Sequence, residues 1–289
     1  MNKAVPFKHQ SGEDHRATKK IKSPFSRYGY LHLRWIALVL YISFLFLPLV
    51  PVLSISFQST LQGGEIPVGE FTWTNYLHLL ENPALRDAII NSVSYVAINI
   101  LVTVPVAFLA AYGFSRYSFI GDKHLFFGFL ALRMIPPVVM VLPVFLIFSR
   151  LDLVNTPLSI ALAHCLFNVP ISIWVLESFL SVIPVELDEA AFIDGYSFFS
   201  FFARILVPLM APGIAVACFF CFMFSWVEVV FARVLTITQG KPISMAISAL
   251  FSFRTDLGLV MAMTVFSIIP GSIMIYFVRN HIAKGFTIK

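Results

Sequence analysis

Six stretches of this chain are too long and too apolar to be covered by the rest of it. Their cores run Trp35–Phe57, Ile89–Phe114, Leu125–Phe148, Ser159–Leu180, Ala211–Leu235 and Leu257–Arg279. A helical span needs about 20 mostly apolar residues, because only a helix satisfies its own backbone hydrogen bonds inside hydrocarbon. Each stretch meets that length. Charged residues are 12% of the 289 and hydrophobic ones 58%, where a soluble domain carries about 25% charged. The sequence therefore predicts an all-α integral membrane protein with six transmembrane helices. The first stretch follows a long polar segment and exceeds the roughly 7–15 apolar residues of a signal-peptide core, so it is expected to remain as span one.

An even number of spans puts both termini on one side, and positive charge marks that side as cytoplasmic. Lys3, Lys8, Arg16, Lys19, Lys20, Lys22, Arg27 and Arg34 precede span one; Arg116 and Lys123 flank the loop after span two. Arg204 follows span four, and Arg279, Lys284 and Lys289 close the chain. The opposite flanks carry only Arg86, Arg150, Arg233, Lys241 and Arg254. Both termini are expected in the cytoplasm. The basic excess sits in juxtamembrane segments rather than on a folded face, which excludes a nucleic-acid partner. Residues 1–30 lack apolar periodicity and are expected to be a disordered cytoplasmic tail, with 31–289 the transmembrane domain. In the first external loop, clustered aromatics from Phe71 to Tyr76 suit a membrane interface or a partner contact.

Enzymatic signatures are missing. Cys165, Cys218 and Cys221 lie inside spans among phenylalanines and read as packing rather than as a redox or metal site. No HExxH or paired intramembrane carboxylates appear. The glycines of Gly64-Glu65-Ile66-Pro67-Val68-Gly69 lead into Glu70 instead of Lys-Ser/Thr, so the chain should not bind ATP. No loop is long enough to fold as a domain, so any engine must sit on another chain.

One loop stands apart. Ser181–Met210, between spans four and five on the expected cytoplasmic side, reads SVIPVELDEAAFIDGYSFFSFFARILVPLM. Pro184 suits a first helical position, and Glu186, Asp188 and Glu189 put negative charge at the positive end of a helix dipole. Gly195 suits a C′ position, and a second helix can start at Ser197. There Phe198, Phe201, Phe202 and Ile205 recur at i, i+3, i+4 and i+7 and form one apolar face that calls for a groove.

Glu189-Ala190-Ala191, Gly195 and Ile205-Leu206-Val207-Pro208 resemble the hallmark of ABC importer permease subunits, with Val207 in place of the usual leucine. From Phe71 to Lys289 the chain is similar in order and length to the maltose-type carbohydrate permeases. Pro136-Pro137, Pro143, Leu151-x-Leu-x-Asn155-Thr156, Phe167-Asn168-x-Pro170 and Trp174 add to that likeness. The resemblance implies a coupling helix that docks into a cleft of an ATPase subunit. Glu189, Ala190, Ala191, Asp194, Gly195, Phe198, Phe201, Phe202, Ile205 and Pro208 are the coupling residues it marks. An amphipathic elbow lying on the bilayer would explain the phenylalanines but not the acidic residues. The resemblance further implies a second homologous permease, two ATPase subunits holding ATP and Mg, and an extracytoplasmic solute-binding protein reached by the loop at Thr236–Asp256. The C-terminal Lys284–Lys289 occupies the place of the family's second ATPase contact.

Ionisable and polar residues inside spans are costly and tend to face polar cavities. Arg133, Asn168, Ser172 and Glu228 are thus candidates for the path of a small hydrophilic solute. For Arg133 and Glu228, interhelical pairing and interfacial snorkelling stand beside that role. Glu177 is not read as substrate-binding. The carbohydrate likeness favours a sugar or oligosaccharide, with a polyol such as glycerol, or a phosphorylated sugar, as alternatives. An ion-gradient-driven transporter would need coupling carboxylates near mid-membrane and usually internal repeats; only Glu228 qualifies.

Overall fold

A computed structural model of the protein describes residues 24–58, 71–253 and 256–285. The tail readings for residues 1–23 and 286–289, and the Gly64–Gly69 run, lie outside the described residues. The chain divides into two units, Met1–Val50 and Pro51–Lys289. Among the described residues the first holds α1 (Pro24–Phe46), whose Trp35, Tyr41 and Phe44 stand exposed as lipid-facing side chains would. The expected first span breaks at Leu47 and Pro48 before α2 (Leu49–Ser56), since proline lacks the N–H a continuing helix needs.

In the second unit, Phe57, Phe71, Trp73 and Tyr76 form an aromatic cluster. The buried Asn75 amide fastens it by donating to the carbonyls of Ser56 and Gln58. Then follow α3 (Thr74–Glu81), α4 (Pro83–Arg116), α5 (Asp122–Arg133), α6 (Pro137–Arg150) and α7 (Pro157–Leu180). Next come α8 (Glu186–Ile193), α9 (Phe198–Phe201), a π-helical turn at Phe202–Leu206, α10 (Val207–Leu209) and α11 (Ala211–Val227). The last are α12 (Val230–Leu235), α13 (Ile243–Phe253) and α14 (Leu257–Gly285).

Among the described residues three helices are long and apolar enough to cross a membrane alone: α4, α7 and α14. Three bent helix pairs bring the number to six if each counts as one span. Two of the bends are sharper than the apolar runs alone indicate. Expected span three, Leu125–Phe148, is α5 and α6 meeting at 97°. Pro136 caps α6 and Pro137 opens it, so the peptide N–H groups that would join the two helices do not exist. Expected span five starts at a 79° bend after Leu209 and ends at Val227, not Leu235. Beyond it Glu228 is extended (φ −68°, ψ 133°) and α12 starts afresh.

The core lies between α4, α7 and α11, and polar side chains cross it. Asn99 on α4 accepts from Asn168 on α7 (2.7 Å) and Ser225 on α11 (3.3 Å), and its amide donates to the Ala161 carbonyl (2.9 Å). In hydrocarbon such bonds hold helices together where apolar contact alone gives no preference over lipid. Cys165 and Cys221 belong to this layer: Cys165 Sγ accepts from Asn99 and Thr103, and Cys221 Sγ meets Ser172 Oγ at 3.3 Å.

At the end of the bundle where α4 begins, the Thr236–Pro242 segment is pinned to α4. Tyr95 donates to the Gly240 carbonyl, the Ile243 N–H to Ser92 Oγ (2.8 Å), and Asn91 to the Lys241 carbonyl. Asn155, in the left-handed region at φ 64°, accepts from the Thr238 N–H, and Thr156 caps α7. The Asn155-Thr156 pair thus serves two turns at once.

Candidate coupling site

The elbow is built by local rules. After α7, a turn through Ser181–Val185 leads into α8, whose first turn holds Glu186, Asp188 and Glu189. Pro184 lies just before this helix rather than inside it, its carbonyl accepting from the Leu187 N–H. Gly195 has φ 86°, and the chain closes as a Schellman motif: Tyr196 N–H donates to the Ala191 carbonyl and Gly195 N–H to that of Phe192, both at 3.1 Å. Ser197 then caps α9 by accepting from the Ser200 N–H. Pro208 cannot donate a helical bond, and the π-helical turn sits immediately before it, with Val207 N–H reaching the Phe202 carbonyl. Past the bend, Gly213 lies where an added Cβ would stand 2.9 Å from Phe179, so α11 leaves the elbow in close contact with the end of α7.

All ten residues that the resemblance marks fall on this elbow, in different surroundings. The apolar face of Phe198, Phe201, Phe202 and Ile205 meets α4 along part of its length. Phe201 is fully buried, Phe202 meets Phe108 (ring centroids 4.5 Å) and Tyr112 (5.9 Å), and Phe198 meets Tyr112 (5.7 Å). Ala191 is buried with them in a cluster that includes Leu206 and Met210. Phe198 stays 37% exposed, so α4 covers this face in part, a pairing of distant segments that periodicity does not reveal. Glu189, Ala190, Asp194 and Gly195 are exposed. Beside them stand Ile193 and Phe199, 85% and 82% exposed, which the motif did not mark.

Asp188, read in the sequence as charge at a helix dipole, has a partner of its own. It is buried and paired with Arg116, Nε to Oδ2 at 2.9 Å, and accepts from the Tyr112 hydroxyl at 2.9 Å. In the sequence Arg116 reads only as one of the charges that orient the chain.

The path candidates do not gather at one place. Asn168 and Ser172 lie in the chain's own fully buried layer. Glu228 is buried too, its carboxylate accepting from the Val230 N–H (2.5 Å) and Phe231 N–H (3.1 Å) and meeting His164 Nε2 at 3.2 Å. It fastens α12 to α7, the pairing alternative for this residue. Arg133 is half-buried at the 97° break, its guanidinium 4.6 Å above the Phe224 ring and 3.4 Å from the Phe167 carbonyl. Among the described residues no cluster of His, Cys, Asp or Glu could hold a metal ion.

A family profile described as the binding-protein-dependent transport system inner membrane component matches residues 103–288. The trehalose transport system permease protein SugB of Mycobacterium tuberculosis is 28% identical over 254 residues, covering 86% of this chain and 93% of the relative. The trehalose/maltose transport system permease protein MalG of Thermococcus litoralis is 31% identical over 241 residues, covering 82% and 87%. Among solved structures, a bacterial ABC transporter involved in import of the acidic polysaccharide alginate superposes with a TM-score of 0.71. That match covers 89% of this chain and 97% of the other at 20% identity, so the likeness is one of fold.

Proposed function

The chain belongs to the family of binding-protein-dependent transport system inner membrane components, and from that premise we propose that it forms half of the pore of an ATP-driven sugar importer. It is a multi-pass permease of the inner membrane. A second, homologous permease completes the pore, and two ATPase subunits carry the ATP and Mg that this chain does not bind. A solute-binding protein delivers the cargo from outside, and both termini lie inside. A mono- or oligosaccharide is the favoured cargo because relatives named for trehalose and maltose align along most of the chain.

The observation that carries the coupling role is the Schellman-closed elbow, which turns Glu189, Ala190, Asp194 and Gly195 outward while its phenylalanine face meets α4. ATP binding would draw the ATPase pair together, move the two elbows with it and open the pore outward; release would reverse the motion. Gly195→Asp tests the dock. A Cβ at Gly195 meets nothing within 4 Å in this chain, so the change costs only about 1 kcal/mol of backbone strain and places a charge on the outward side. Tagged wild-type protein extracted in detergent is expected to bring down a second permease and an ATPase, and the variant to lose the ATPase while its thermal midpoint falls by only about 2–4 °C. A wild-type protein that purifies alone would overturn the importer reading.

A further inference from the structure

The outward edge of the elbow is exposed, whereas its root is buried and charged. Arg116 ends α4, and Asp188 lies in the first turn of α8. The guanidinium grips the carboxylate twice, Nε to Oδ2 at 2.9 Å and Nη2 to Oδ1 at 3.3 Å. Its Nη1 donates to the carbonyls of Ile183 (3.0 Å) and Leu180 (3.4 Å), at and just past the end of α7. Tyr112, one turn back on α4, adds its hydroxyl to Oδ2. One guanidinium thus joins α4, the end of α7, the linking turn and α8, with the Arg116 and Asp188 side chains only 4% and 5% exposed.

Stability alone does not explain this arrangement, because apolar residues of similar volume often do as well in place of a buried ion pair. Two-point contact between planar groups supplies a fixed orientation instead. We propose that Arg116, Asp188 and Tyr112 form a transmission joint. These positioning residues hold the elbow rigid against α4 and α7, so that a push on α8 turns the spans rather than bending the loop. The inference rests on the reading of the elbow as the ATPase dock.

The test uses the complete complex, with the three native cysteines replaced and spin labels at Val185→Cys just before α8 and Leu109→Cys on α4, both exposed and neither among the residues marked for docking. The distance between them is measured without nucleotide and trapped with ATP and vanadate. In the wild-type background one narrow distance, the same in both states, is expected. In Asp188→Asn the ATPase should still co-purify and hydrolyse ATP, but the distance should broaden and shift on trapping. Tyr112→Phe removes one bond of the joint and should give a smaller broadening; it decides the matter if Asp188→Asn fails to assemble. A distance that already shifts in the wild-type background, or one that neither variant alters, would overturn the joint. Failure of the docking reading is distinguishable, since then the wild-type chain would bring down no ATPase at all.

Discussion

A carboxylate inside an apolar span invites a role in transport, yet Glu228 spends its acceptors on the chain itself. Two backbone N–H groups at the start of α12 and the His164 ring take up both oxygens. Losing a cap of this kind typically costs about 1 kcal/mol, and leaving buried donors bare adds about 1–3 kcal/mol. Glu228→Ala should therefore destabilise the protein by roughly 2 kcal/mol or more, read as a lower thermal midpoint in detergent. Glu228→Gln keeps one acceptor and should lose less. If Glu228 lined the solute path instead, the alanine variant would change uptake by the assembled complex while leaving the thermal midpoint in place.

At the scale of elements, the sequence located each helix that stands alone and missed how the others are broken. Expected spans two, four and six lie inside α4, α7 and α14, because a long apolar run without internal competition has one solution. Pro136 and Pro137 announced an interruption but not its angle, which depends on what the two halves pack against. The elbow was legible for a similar reason: Gly195 and Ser197 act on their immediate neighbours, so their turn and cap follow from local rules. The destination of the phenylalanine face was not, since Phe108 and Tyr112 lie some ninety residues earlier in the chain.

Ile193 and Phe199 are the most exposed large apolar side chains of the elbow. An ATPase cleft that receives the elbow should cover them, and buried apolar anchors carry much of the energy of an interface. Ile193→Ser together with Phe199→Ser should weaken ATPase association by about tenfold or more, measured by titrating the ATPase onto the purified permease. Thermal stability should hold, because neither side chain packs in the core. Unchanged affinity would assign the pair to the bilayer surface instead.

At the scale of the whole molecule, the question is where a hydrophilic solute could pass, since Asn99, Asn168 and Ser225 lie buried between α4, α7 and α11 and bond to one another. If the proposed second permease completes the pore, a path along an outer face of this chain, closed by that partner, leaves these buried bonds intact. The break beside Arg133 is where such a face can be tested. Freed backbone groups at membrane depth are tolerated where they line a water-filled cavity, and Met134 in the break is 82% exposed. Met134→Cys, in a background without the native cysteines, should react with a membrane-impermeant thiol reagent, and the rate should change when the complex is trapped with ATP and vanadate. Leu101→Cys on α4, 73% exposed on a helix with no such break, should react only with lipid-soluble reagents. Equal resistance of both positions to the impermeant reagent would place the break in lipid and move the search for the path to another face of the permease.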